Sequence, residues 1–180
     1  MPIDLFDGSD SPCTNGAMLG AGSLTLNAGS GQANCTWTVQ GLDAGVLVEV
    51  NHVGASGVSG FEAIAKLELH LTGGNILDLN LSEYQGSVQM TATSTVSVVA
   101  QPFDVNSRVW LLFEATDDRT VVCKATAAPD PAGAAWFDLG TSAFAPNTTM
   151  MPAMVTVEAQ GAGNGSGSAS AVFTNLETCL

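Results

Sequence analysis

The feature that most constrains this chain is an alternation of apolar and polar residues with a period of two, repeated in short runs along its length. Leu77, Leu79 and Leu81 alternate with Asp78 and Asn80, and Val155 and Val157 alternate with Thr156 and Glu158. Successive residues of a strand point to opposite faces, so each run predicts a strand with one buried side. Runs of this kind cover residues 23–27, 35–39, 46–50, 76–81, 87–92, 95–100, 108–115, 119–126, 135–139, 154–158 and 170–176. Residues 61–71 are ambiguous, because Ala63, Ala65 and Leu67 also suit a helix. Leu67, Leu69 and Leu71 alternate cleanly with Glu68 and His70, which predicts a strand there too.

Turn residues separate the runs. Gly73-Gly74 predicts a tight hairpin, since both central residues of a type I′ turn need positive φ. Asp117-Asp118 predicts a second hairpin, and the stretch from Pro129 to Gly133 predicts a turn. The glycine- and serine-rich residues 161–168 read as the loop of a last hairpin. Many short strands with no intervening helices predict an all-β, two-sheet antiparallel β-sandwich, one domain over residues 1–180.

The formal net charge is −13, and Lys66, Arg108, Arg119 and Lys124 are the basic residues. Nucleic acid and anionic membrane surfaces repel such a chain. No apolar run reaches the roughly 18 residues of a membrane-spanning helix. The opening MPIDLFDGSD lacks a basic and then apolar leader pattern, so the chain is expected either to be made in the cytoplasm or to be a mature, processed form. Cys13, Cys35, Cys123 and Cys179 permit three disulfide pairings or none, and no CxxC occurs.

Several segments resemble the concanavalin A-like, laminin-G-like jelly-roll superfamily. Arg108 to Glu114, with Trp110, resembles the strand where a tryptophan enters the core. Pro129-Asp130 through Trp136 to Gly140 resembles the S-P-D-G-x-x-W-x-x-L-G turn and strand. Residues 171–176 resemble the closing A-x-F-D-N-V strand, and 4–10 the opening D-x-F-x-G-x-D-G. The resemblance implies a jelly roll of the kind found in lectins, carbohydrate-binding modules, glycosidases and phage virion proteins.

Candidate chemistry is sparse. The resemblance makes E-x-D-x-E along one strand the glycosidase signature, and no such triplet occurs. Glu68 and His70 share a strand face, and Glu114 lies near Asp117-Asp118, but neither forms an acid pair on one strand. No catalytic residue is therefore expected, and the chain reads as a non-enzyme. Asp4, Asp7 and Asp10 crowd one loop, as a calcium site requires, without EF-hand spacing. Asp117, Asp118, Asp130 and Asp138 are a second possible acidic group, while His52 and His70 are too separated for a transition-metal site. Sugars stack on exposed rings, which makes Tyr84 and Trp37 the candidate ligand-binding residues.

Acidity, a self-contained β-domain and the missing catalytic set lead to an expected virion structural protein. It would be a capsid-decoration, cement or tail- and fibre-associated surface protein, homo-oligomeric, with a viral shell or tail protein as partner. The alternative is an extracellular carbohydrate-binding module that recognises a cell-surface glycan, with calcium assisting.

Overall fold

A computed structural model describes the chain apart from residues 1–2, 5–12, 15, 21, 40–44, 58, 84–86, 93–100, 105–106, 118, 144–152, 164–165 and 180. The strands are β1 (Ile3–Asp4), β2 (Ala17–Gly20), β3 (Ser23–Gly29), β4 (Gln32–Val39), β5 (Gly45–Ser56), β6 (Phe61–Leu71) and β7 (Asn75–Ser82). They continue as β8 (Ser87–Ala92), β9 (Gln101–Pro102), β10 (Val109–Ala115), β11 (Thr120–Thr126), β12 (Phe137–Ala143), β13 (Ala153–Gly163) and β14 (Ser168–Cys179). The expected strand at 95–100 lies outside the described residues, and the one expected at 135–139 begins at Phe137.

The strands form two antiparallel sheets. One has eight strands, in the order β12-β11-β10-β5-β14-β3-β2 with β1 beside β14. The other has six, in the order β4-β13-β6-β7-β8-β9. The period-two pattern becomes burial. Strand β6 buries Phe61, Ala63, Ala65, Leu67, Leu69 and Leu71 and leaves the residues between them part-exposed. Leu77, Leu79, Val155 and Val157 join them from the same sheet, and Val48, Leu111, Phe113 and Phe173 meet them from the other. This packed interior removes apolar surface from water, at about 25 cal/mol per Å².

Three sequence expectations change in the fold. Residues 161–168 do not close a hairpin: β13 pairs β4 and β6, whereas β14 pairs β3, β5 and β1, so this segment crosses between the sheets. Alternation alone is the same for a hairpin and a crossover. The Gly73-Gly74 connection has positive φ at both residues, 81° and 77°, as a tight turn demands, but Leu71 pairs with Asn75 and the loop has three residues, Thr72–Gly74. Trp110 is buried, yet it does not join the core cluster. It stands opposite Glu49 on the outer face of the eight-stranded sheet, and its indole N–H donates to Ala128 O at 3.1 Å. Trp136 is half-buried and is likewise outside the core cluster.

Cys13 and Cys35 form a disulfide that fastens the N-terminal segment to β4. Cys123 is a free thiol inside the core, where burial pushes its pKa up to about 12.

Candidate functional site

The residues that alternate outward on the six-stranded sheet make a polar face, and strand register arranges them in rows. Asn34, Glu158, Lys66 and Asn80 form one row across β4, β13, β6 and β7. Thr36, Thr156, Glu68 and Asp78 form the next. Gln32, Gln160, Ile64 and Ser82 flank the first row, and Thr38, Met154, His70 and Ile76 flank the second. Directly opposed residues of an antiparallel pair have Cβ atoms about 5 Å apart, so each row is a set of touching side chains.

Charged groups are knitted together on this face. Lys66 Nζ lies 3.0 Å from Glu158 and 3.9 Å from Glu68. Glu158 also accepts a bond from Gln32 Nε2 at 3.2 Å, and the Glu158 side chain is only 6% exposed. His70 Nε2 is 3.0 Å from Glu68. The Ser82 hydroxyl donates to Glu62, and the Thr36 and Thr156 hydroxyls share a bond of 2.9 Å. Asp78 differs: its Oδ1 is buried and has no hydrogen-bond partner among the described residues. Burial raises the Asp78 pKa to about 6, and the negative charges of Glu68 and Glu158 push it the same way against Lys66 and His70. A cavity of about 270 Å³ opens beside these groups, lined by Glu62, Ile64, Lys66, Asp78, Asn80, Ser82 and Gln160.

The expected site residues are placed differently. Trp37 points into the core and is 8% exposed, because Ala33, Cys35 and Trp37 are the inward set of β4. Tyr84, Asp7, Asp10 and the side chain of Asp4 lie outside the described residues. Asp117 and Asp130 each accept a backbone N–H from within their own turn, from Arg119 at 2.8 Å and Ala132 at 2.9 Å, which is a turn-forming role. Among the described residues, no three His, Cys, Asp or Glu side chains group to hold a metal ion, so no described set fits the expected calcium. Glu114 is paired with Lys124 on the other sheet, remote from the polar face.

The sequence puts Glu68 and His70 on one strand face, and the structure pairs them at 3.0 Å. The structure adds Asp78, Lys66 and Glu158. The Glu68–Asp78 pairing was within reach of the sequence, since it follows from the β6–β7 hairpin register. The Lys66–Glu158 pairing joins strands far apart in the chain and had no local signal.

No protein-family model and no curated protein matches the sequence. Solved structures do match in fold. A β-glucanase of Bacillus licheniformis aligns with a TM-score of 0.56 at 15% identity, over 97% of this chain and 88% of that one. The carbohydrate-binding module CBM66 from Bacillus subtilis aligns with a TM-score of 0.53 at 13% identity, over 94% and 95%. The exoplasmic/lumenal domain of VIP36, in its Ca²⁺-bound form, aligns with a TM-score of 0.50 at 10% identity, over 99% and 89%. The chain spans less than two thirds of scytalido-glutamic peptidase, 64% of its length, with a TM-score of 0.48.

The fold is therefore a two-sheet jelly-roll β-sandwich, shared with a carbohydrate-binding module and a β-glucanase. The expectation that the chain is not an enzyme is corrected by this comparison. The same fold serves a β-glucanase, and acids missing as a triplet on one strand are brought together here across two.

Proposed function

We propose that this chain is a glycan-directed domain whose ligand lies across the polar face of the six-stranded sheet. The observation that carries the reading is the cavity beside Asp78, ringed by amide, hydroxyl, carboxylate and ammonium groups. Sugar hydroxyls both donate and accept hydrogen bonds, and such a ring offers both roles within one oligosaccharide's reach. Structures of the same fold that include a carbohydrate-binding module support it. The virion structural role expected first from the sequence rests on acidity, a self-contained β-domain and the lack of a recognised catalytic set. The Cys13–Cys35 disulfide favours an oxidising, extracellular setting for the glycan reading.

A panel of soluble polysaccharides in affinity electrophoresis tests the proposal. At least one should retard the wild-type chain, and Gln160→Trp, which fills the cavity, should abolish the retardation. Retardation that survives Gln160→Trp would place the ligand elsewhere.

A second reading is favoured by one observation. Asp78 faces Glu68 directly, and its raised pKa keeps a proton available in mildly acidic solution beside that second carboxyl group. Two carboxyl groups on one face are the minimum equipment for acid–base cleavage of a glycosidic bond. Release of reducing ends from the retarded polysaccharide, lost in both Glu68→Gln and Asp78→Asn, would establish it.

A further inference from the structure

We infer that the free edge of β2 is the contact surface for a second copy of this chain. The two β2 strands pair antiparallel about a two-fold axis, so that the eight-stranded sheets run on into each other.

An edge strand offers a row of unpaired N–H and C=O groups, and proteins protect such rows with charge, proline or a covering segment. The other edges here carry that protection. Asp138 stands exposed on β12, Asp4 belongs to β1, and Pro102 is half of the two-residue β9. The edge of β4 is covered by the N-terminal segment: Cys13 bridges and is bonded to Cys35, and Thr14 N donates to Asn34 O at 2.9 Å. Among the described residues, nothing of this kind guards β2, the last strand of its sheet. Its residues are Ala17, Met18, Leu19 and Gly20, and Met18 and Leu19 are 60% and 42% exposed. Successive strand residues point to opposite faces, so this apolar pair flanks the open ladder on both sides.

Charge decides the occupant. The chain carries 17 acidic and four basic residues, yet residues 11–42 contain no Asp, Glu, Lys, Arg or His. That stretch builds β2, β3 and β4, and β2 and β4 end their sheets beside each other, so one side of the sandwich is built from uncharged strands. A basic partner is drawn to the acidic surface elsewhere. An acidic partner is repelled there and comes close only at the uncharged edge. A second copy, with its net charge of −13, is such a partner, and it brings an identical bare strand. A two-fold axis sets identical strands antiparallel, and the contact closes at two copies. The candidate glycan site lies on the other sheet, so the pairing uses none of its residues.

Sedimentation equilibrium of the full chain from about 1 to about 300 μM tests the inference, a range suited to an interface below the standard size. The mass should rise from one copy to two and no further. Association should tighten severalfold between about 0.05 and about 0.5 M NaCl, because salt screens the repulsion between two acidic bodies and leaves an uncharged contact intact. Met18→Glu and Leu19→Glu should each weaken it about tenfold or more, since the two-fold axis brings the added charges together. Thr141→Glu, exposed on the opposite edge strand β12, should not. In the parent chain, hydrogen exchange at the β2 amides should slow as the concentration rises. A monomer throughout would overturn the inference and leave the bare edge to a strand of another protein. A dimer undisturbed by both edge variants, or weakened as much by Thr141→Glu, would place the contact elsewhere and overturn it too. Association that weakens with salt would do the same. The salt response and amide exchange of the parent decide the matter even if an edge variant fails to fold.

Discussion

Glu68 and Asp78 stand directly opposite each other across the β6–β7 ladder, two carboxyl groups on the same face of one hairpin. Burial makes Asp78 costly to ionise and the like charge of Glu68 adds to that cost, so its pKa rises to about 6. Because the folded pKa exceeds the unfolded value of 3.8, the folded state holds more protons between those limits. Its contribution to stability is full below about pH 4, falls as pH rises toward 6, and is lost above it. Thermal melts should therefore show a higher Tm near pH 4.5 than near pH 7.5 from this group. In Asp78→Asn that component should disappear, with a higher Tm than the parent at pH 7.5. An unchanged pH profile in the variant would show that Asp78 ionises normally.

Lys66 should matter to stability through Glu158. The Glu158 side chain is 6% exposed, and Lys66 at 3.0 Å is the cation that balances it. Lys66→Met leaves a buried carboxylate without its counter-charge and should cost about 3 kcal/mol in urea unfolding. Lys66→Met combined with Glu158→Gln should recover most of that loss. A single variant as stable as the parent would show the pair to be dispensable.

A second buried acid, Glu49, secures the other sheet. It accepts bonds from Thr174 Oγ1 at 2.8 Å and Asn175 Nδ2 at 2.6 Å, and Arg108 Nη1 stands 3.1 Å from its other oxygen. Asn175 adopts φ of 50°, an uncommon value for a residue other than glycine, at an irregularity in the β5–β14 register. Glu49→Ala should lower stability by about 3 kcal/mol, since Thr174 and Asn175 lose their shared acceptor and Arg108 loses its ion pair. Arg108→Ala should cost less, because Arg108 is half-exposed and surface pairs contribute little.

The crossover after β13 is shaped by Phe61. A Cβ at Gly167 would fall 2.2 Å from the Phe61 ring, and one at Gly161 would fall 2.6 Å from it. Gly167→Ala should cost about 2 kcal/mol from overpacking. Gly31→Ala, where the nearest atom would be 3.7 Å away, should be close to neutral and serves as the control.

The Cys13–Cys35 bond closes a separation of 22 residues. Loop-closure entropy predicts about 3 kcal/mol of stabilisation for a loop of that order. Urea midpoints measured with and without dithiothreitol should differ accordingly, and the Cys13→Ser, Cys35→Ser double variant should match the reduced protein in both conditions.

Much of the sheet was legible in the sequence, and so was part of the candidate site. Leu67, Leu69 and Leu71 must all face the core, and so must Leu77, Leu79 and Leu81. Two strands whose inward residues all carry odd numbers can be joined only by a loop with an odd count of residues. A two-residue turn at Gly73-Gly74 would have set Glu68 opposite Leu79 and turned one strand inside out. The three-residue Thr72–Gly74 connection keeps the leucines together and thereby sets Glu68 opposite Asp78. Trp37 misled for a related reason. A ring in a polar run looks available to a sugar, but its parity with Ala33 and Cys35 turns it inward.

The sequence by itself determined most of the longer strands, the side that each of them buries, and the β6–β7 and β10–β11 hairpins, because alternation and turn chemistry are local; the short β1, β2 and β9 carried no such signal. Only the tertiary structure decided that β13 lies between β4 and β6, and that residues 161–168 cross to the other sheet. Pairing between strands far apart in the chain is chosen by how whole faces pack, and no short stretch of residues encodes it. That choice brings Glu158 to Lys66 and Gln160 to Ile64, and so assembles the outward-facing rows of the candidate site.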